Sequence, residues 1–66
     1  MTRQHYKSIN TIWNNASPDA IEDRIEKIPT DTIIRCSKGA LSSKDETTVK
    51  YTLMLLAKYG IKYIID

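Results

Sequence analysis

The spacing of apolar residues predicts a first helix near the start of the chain. Tyr6, Ile9, Ile12 and Trp13 recur at helical spacing. We expect this helix to cover residues 6–15, because the Asn14-Asn15 pair tolerates the left-handed conformation that ends many helices.

A second apolar stripe follows at once. Ile21, Ile25 and Ile28 lie at positions i, i+4 and i+7. Ser17 is a typical N-cap and Pro18 suits the first helical position, where its missing N–H costs nothing. Pro29 disfavours helical geometry at Ile28. The pattern therefore predicts a helix over residues 17–27.

Residues 29–38 allow two interpretations. As a helix over 30–38, Ile33 and Cys36 would face the core and Gly39 would form the C-terminal cap. As a strand, residues 32–36 are rich in β-branched side chains, but Ile33 and Ile34 would point to opposite faces. We favour the helix, although a run this short does not distinguish the two by periodicity.

The clearest helix is predicted over residues 44–59. Ser43-Lys44-Asp45-Glu46 has the form of a capping box. One apolar stripe then runs along the helix to its glycine cap: Val49, Leu53, Leu56 and Gly60. The last segment, 61–66, reads as a strand with Ile61, Tyr63 and Ile65 on one face and Ile64 on the other.

These elements predict a mainly α fold: a compact, helix-turn-helix-like domain of four helices with one short C-terminal strand. The 66 residues suffice for one small domain, with residues 1–5 frayed. The longest apolar run, residues 53–57, is too short for a membrane span. A cytoplasmic location is the default expectation.

The residue types that support catalysis or metal binding are scarce. The chain has one histidine, His5, and one cysteine, Cys36, which we expect to be a core residue. It contains no glycine-rich phosphate loop and no Cys/His cluster. We therefore expect no enzyme activity, no cofactor and no metal. The net charge of +2 is only mildly basic.

Several short segments resemble the helix-turn-helix DNA-binding domains of phage Cro proteins and repressors. Residues 15–21 resemble the loop and second helix of that family, residues 32–39 its third helix, and Ser43 with Glu46-Thr47 the start of its fourth. The chain departs from the family at Glu22, where a small residue is usual, and at Glu26-Lys27, where the turn usually holds glycine.

The resemblance implies a small DNA-binding transcriptional regulator of phage or mobile-element origin, which binds double-stranded DNA as a homodimer. Arg35 would read a base edge, as arginine commonly does with guanine. Thr30 and Thr32 would add short hydrogen bonds. The phosphate contacts would come from Lys27, Lys38, Lys44, Ser17 and Ser43.

A second resemblance concerns residues 33–35, 39–43 and 59–66, which look like an early strand–helix–strand segment of cysteine-dependent tyrosine phosphatases. The H-C-x5-R catalytic loop of that family is absent, because no histidine directly precedes Cys36 and no arginine follows it at the required distance. This resemblance implies an inactive fragment, with residues 29–37 as a strand.

A third possibility is a small protein-binding module, such as an inhibitor of a host protein. It would act through a strand edge or an exposed apolar patch of Ile34, Tyr63 and Ile64. For either function we expect a homodimer formed by the C-terminal strand, with the following residues at the interface: Ile61, Tyr63, Ile64 and Ile65. The alternative is that this strand pairs within its own chain, most plausibly with residues 31–36, which would then be a strand and not a helix.

Overall fold

Three strands alternate with two pairs of helices in the computed structural model, which describes residues 5–66. The elements in chain order are β1 His5–Ser8, α1 Asn10–Trp13, α2 Pro18–Glu26, β2 Thr32–Cys36, α3 Lys38–Ser43, α4 Glu46–Lys58 and β3 Lys62–Ile65.

The strands form one parallel sheet in the order β1-β2-β3, so β2 is central. In its register His5 pairs with Thr32 on one side of β2, and Cys36 pairs with Ile65 on the other. Parallel strands need crossover connections, and these are almost always right-handed. Because both crossovers step in the same direction, both helical segments lie on one face of the sheet, where α2 packs against α4.

The core lies between the sheet and this helical layer. Each described helix contributes to it, together with β2 and two residues that flank strands: Ile9, Ile12, Trp13, Ile21, Ile25, Ile34, Cys36, Ala40, Leu55, Leu56 and Ile61. One polar pair is buried within it. The Trp13 Nε1–H donates to Thr52 Oγ1 at 2.8 Å, and that hydroxyl donates to the Thr48 carbonyl at 2.8 Å. Trp13 is therefore buried with its only donor satisfied.

The mainly α fold class is wrong, because the described chain is an α/β structure with a three-stranded parallel sheet. The helix expected over 30–38 is replaced by β2, which confirms the strand alternative for this segment. Strands on both sides satisfy the backbone of β2, and its β-branched residues suit a pleated sheet. Gly39 lies inside α3 and does not cap a helix.

The prediction of the first helix, over residues 6–15, is also wrong for its first half. Tyr6 lies in β1, and helix α1 begins only at Asn10. The helical spacing of Ile9, Ile12 and Trp13 is real, since all three residues are buried in the core. The left-handed residue expected at the end of this segment is Asn15, whose φ is 52°. Of the segment expected to be frayed, His5 begins β1, and residues 1–4 lie outside the described residues.

Three predicted elements are confirmed with small shifts of their ends: α2, α4 and β3. Ser17 and Pro18 occupy the N-cap and first position of α2 as expected. The N-cap of helix α4 is not the Ser43 that the capping box predicts. The Asp45 carboxylate accepts the Thr48 N–H at 3.0 Å, whereas the Ser43 hydroxyl donates to the Ala40 carbonyl of α3. Helices α3 and α4 are thus separated by two extended residues, Lys44 and Asp45.

Candidate functional site on the uncovered sheet face

The sheet has a helix-covered face and an uncovered face. Paired residues of parallel strands share a face, and Thr32, Ile34 and Cys36 of β2 point to the helices. The opposite face is formed by Tyr6, Ser8, Ile33, Arg35, Lys62 and Ile64. Since all four described helices contribute to the core on the first face, none of them covers the second. We call this second surface the open face.

Large apolar side chains lie on the open face. Tyr6 is 53% exposed, Ile64 is 43% exposed, and Ile33 between them is half-buried. All-parallel sheets are almost always covered on both faces. An uncovered parallel sheet with apolar residues from all three strands is therefore an unusual surface, of the kind that marks interaction sites.

One end of the open face is polar. A shallow cavity of about 290 Å³ lies at the carboxyl ends of the strands and is lined by Tyr6, Ser8, Arg35, Ser37 and Asp66. Within it the Arg35 guanidinium donates to Asp66 Oδ2 at 2.9 Å. The Ser37 hydroxyl is used as the N-cap of α3, where it accepts the Ala40 N–H. These groups form an exposed ion pair beside hydroxyls, which suits contact with a partner.

This end of the sheet does not form the crevice that binds nucleotides in many α/β proteins. Such crevices open where the strand order reverses and neighbouring crossovers lie on opposite faces. The order β1-β2-β3 has no reversal within the described residues. The polar end is therefore a shallow part of a broad surface.

Two other cavities lie among the helices. One, of about 490 Å³, is formed by α1 and the α3–α4 junction, where Lys44 Nζ lies 5.8 Å from the centre of the Trp13 ring. A smaller one of about 220 Å³ is lined by Lys7, Arg24 and Lys27, among others. Arg24 has a structural role there, because its guanidinium donates to the carbonyls that end α1, those of Thr11, Ile12 and Asn14.

The residues predicted to bind DNA lie before, within and after strand β2 and at the start of α2. Lys27 and Thr30 precede β2, whereas Lys38, Ser43 and Lys44 follow it. A strand of this length separates the two groups by roughly 16 Å. Ser17 caps the start of α2, at the other end of that helix from Lys27.

The two remaining members of that set lie in β2 itself. Thr32 is 2% exposed and faces the helices, so it has no accessible side chain. Arg35 lies on the open face, paired with Asp66. Neither is on a helix that could enter a groove.

Of the four residues predicted to form the dimer, one is buried and three are exposed. Ile61 is 4% exposed and belongs to the core. Tyr63, Ile64 and Ile65 are exposed in β3, with Ile64 on the open face and the other two on the opposite side of the strand. β3 does not lack a partner in its own chain, because it pairs with β2. Its outer edge is free within the described sheet.

The sequence does not indicate that the apolar residues Tyr6 and Ile33 lie on the open face. It predicts Tyr6 in a helix and Ile33 in the core. The sequence does contain a signal that Ile33 lies outside the core. If this segment is a strand, Ile33 and the adjacent Ile34 cannot both face the core. No comparable signal identifies Tyr6, since all four residues of β1 are exposed.

A reactive thiol and a cluster of metal ligands are two kinds of group that can support catalysis. Cys36 is buried, and this burial raises the pKa of its thiol, which disfavours the nucleophilic thiolate. Residues 5–66 contain no group of three side chains placed to hold a metal ion. In the same part of the chain no helix has the length and apolar character needed to cross a membrane.

Comparison with known proteins gives no match, whether to a family model, a curated protein or a solved structure. The open face is therefore the feature from which a function must be inferred.

Proposed function

We propose that the protein is a small protein-binding module whose partner covers the open face. One observation carries this proposal: the parallel sheet is covered by helices on one side only, and its other side exposes Tyr6 and Ile64 around Ile33. Covering that side would complete the three-layer arrangement in which parallel sheets normally occur.

The chemistry of the open face favours an amphipathic helix with acidic residues as the partner segment. A helix is the element that normally covers a parallel sheet, and its apolar stripe would lie along Tyr6, Ile33 and Ile64. The charged residues at the two ends of the face are Arg35, Lys62 and Asp66, which leave it with a positive excess. Acidic side chains flanking the apolar stripe would complement that excess.

The proposal is tested by selection from a displayed library of helical peptides. Each peptide has one apolar stripe, and this stripe is flanked by acidic residues in one half of the library and by basic residues in the other. We expect the acidic peptides to be enriched. Tyr6→Ala and Ile33→Thr should each weaken their binding by roughly tenfold, as loss of a central apolar contact does. Met54→Ala is the matched control, because Met54 is 61% exposed on α4, in the helical layer.

The proposal is wrong if no acidic peptide is enriched, or if the enriched peptides bind the Tyr6 variant and the parent equally. Tyr6→Ala keeps the test valid even if Ile33→Thr fails to fold, because Tyr6 lies exposed on an outer strand.

Sequence-specific DNA binding stays a prediction. The helix that was expected to present Arg35 to a groove is strand β2, and the other predicted contacts lie before and after that strand. An anisotropy titration with duplex DNA at low salt separates the two functions. A protein-binding module should bind different duplexes equally, and Arg35→Ala should not change this.

A further inference from the structure

The outer edge of β3 carries a defined set of unused backbone groups. The Asp66 N–H donates to the Cys36 carbonyl at 2.9 Å, and the register pairs Cys36 with Ile65. In a parallel ladder alternate residues bond to the same neighbour, so the backbone groups of Lys62, Ile64 and Asp66 face β2. The N–H and C=O groups of Tyr63 and Ile65 therefore point away from the sheet.

We propose that two copies of the chain pair antiparallel through these edges, with Ile64 on the two-fold axis. Tyr63 then lies opposite Ile65 of the second copy, and each such pair exchanges two hydrogen bonds. By symmetry the pair occurs twice, so every outward backbone group of β3 gains a partner. This inference concerns the outer edge of β3, where the open face ends, and it does not depend on the proposed function.

Neighbouring registers use the edge less well. With Tyr63 on the axis, Ile61 would lie opposite Ile65, but the Ile61 N–H already donates to the Leu56 carbonyl at 2.8 Å. With Ile65 on the axis, Ile64 would lie opposite Asp66, and the Tyr63 groups would find no partner among the described residues. Registers shifted by one residue would place side chains of opposite faces together.

The side chains agree with the Ile64-centred register. Lys62, Ile64 and Asp66 all lie on the open side of β3. Pairing about Ile64 places Lys62 opposite Asp66 of the second copy, at both ends of the interface, and opposite charges in this position are stabilising. The two Ile64 side chains meet at a non-hydrogen-bonded position, where cross-strand neighbours are closest. Asp66 can keep its bond to Arg35 with the same carboxylate.

The other sheet edge lacks this complementarity. The Ile9 N–H donates to the Arg35 carbonyl at 2.9 Å, so the outward groups of β1 belong to Tyr6 and Ser8. The equivalent pairing of two β1 strands would place Lys7 directly opposite Lys7 of the second copy. Like charges in that position are destabilising, and an edge lysine is a common device against such pairing.

Cysteine cross-linking tests the register. Ile64→Cys should form a disulfide-linked dimer under mild oxidation, because the non-hydrogen-bonded pair on the axis has a suitable Cα separation. Lys62→Cys and Asp66→Cys should cross-link when mixed and not alone. Met54→Cys is the control that should stay uncross-linked, because Met54 on α4 is more exposed than Ile64 and lies away from the β3 edge. A folded Ile64→Cys chain that remains monomeric would overturn the proposal. So would Lys62→Cys alone if it cross-linked as fast as its mixture with Asp66→Cys.

Charge exchange gives an independent measurement by sedimentation equilibrium. Lys62→Glu and Asp66→Lys should each raise the dimer dissociation constant by roughly tenfold, because each places two like-charge pairs in the homodimer. An equimolar mixture of the two variants should recover the parent affinity, since both pairs in the mixed dimer are again opposite. A parent chain that is monomeric at high micromolar concentration, or a mixture no tighter than either variant, contradicts the proposal.

Discussion

Leu53 and Leu56 lie on one stripe of α4 but differ in burial. Leu56 is fully buried, whereas Leu53 is half-buried at the border of the core. We expect Leu56→Ala to lower the free energy of unfolding by about 2–5 kcal/mol, because the substitution leaves a cavity that cannot collapse fully. Leu53→Ala should cost clearly less, since solvent can fill the space.

Urea denaturation of the two variants and the parent measures this difference. Small domains of this size have total stabilities of about 5 kcal/mol. The Leu56 variant is therefore expected to be close to unfolded at room temperature. Equal losses in the two variants would show that Leu53 is as deeply packed as Leu56.

At the same scale, single residues explain why the open face was missed. In a helix Ile33 would face the core together with Cys36, whereas in a strand Ile33 and Ile34 point to opposite faces, and the sequence allows both interpretations. Only the pairing of β2 with strands on both sides decides between them, and both partners are distant in the chain. Of the apolar patch Ile34, Tyr63 and Ile64, the last two are exposed and Ile34 is fully buried.

At the scale of elements, the end of α4 shows how one residue sets a chain reversal. Gly60 has a φ of 70°, the Ile61 N–H donates to the Leu56 carbonyl, and the Gly60 N–H donates to Ala57. This is a Schellman motif, and it directs the chain into β3. Space is open around Gly60, so only its backbone conformation opposes a larger residue.

Gly60→Ala should therefore destabilise the protein by about 1–2 kcal/mol, the cost of a left-handed conformation for a residue with a Cβ. Gly39 is the matched control. It lies inside α3, where an added Cβ meets nothing within 4 Å. Gly39→Ala should raise stability by about 0.5–1 kcal/mol, because alanine favours the helix. Thermal melts of both variants check these opposite signs; a loss of stability in both would contradict the assignment.

The start of α4 depends on a carboxylate. Asp45 accepts hydrogen bonds from the Thr48 hydroxyl and backbone N–H, and these bonds lower the pKa of its carboxyl group. A carboxyl whose pKa is lower in the folded state stabilises the fold above its unfolded pKa, about 4. That contribution is lost as the pH falls through the lowered pKa.

The unfolding temperature of the parent should therefore exceed that of Asp45→Asn at neutral pH, and the gap should narrow below about pH 4. Melts between pH 7 and pH 2 measure it. Asp31→Asn, in the exposed loop before β2, is the control for removing one surface charge. A gap that persists at pH 2 would show that the amide, and not the lost charge, is responsible.

Elements with strong internal signals could be predicted, and the others could not. Helices α2 and α4 have periodic apolar stripes, and β3 has a dense apolar run after a glycine. The remaining elements have between four and six residues. Segments this short have little intrinsic stability, so tertiary contacts decide their conformation. The sheet could therefore be derived only in part: the alternative pairing of the C-terminal strand with residues 31–36 is the β2–β3 pair of the structure, whereas nothing in the sequence indicated β1.

For the whole molecule, the one-sided helical layer links the two proposals. Pairing of β3 strands about an axis through Ile64 would give a continuous six-stranded sheet with both helical layers on the same side. The open faces of the two copies would then join into one surface with two sets of Tyr6, Ile33 and Ile64. A partner with two helical segments could occupy both halves, which would raise its affinity through effective concentration.

The central position of β2 also has a consequence for the nascent chain. β2 needs β3 along one edge, yet β3 is made roughly 30 residues later, which takes a few seconds at typical rates of translation. Until β3 is available, the edge of β2 that bonds it has no partner in the described sheet and stays open to other strands. The native sheet is therefore complete only after its last strand has been made.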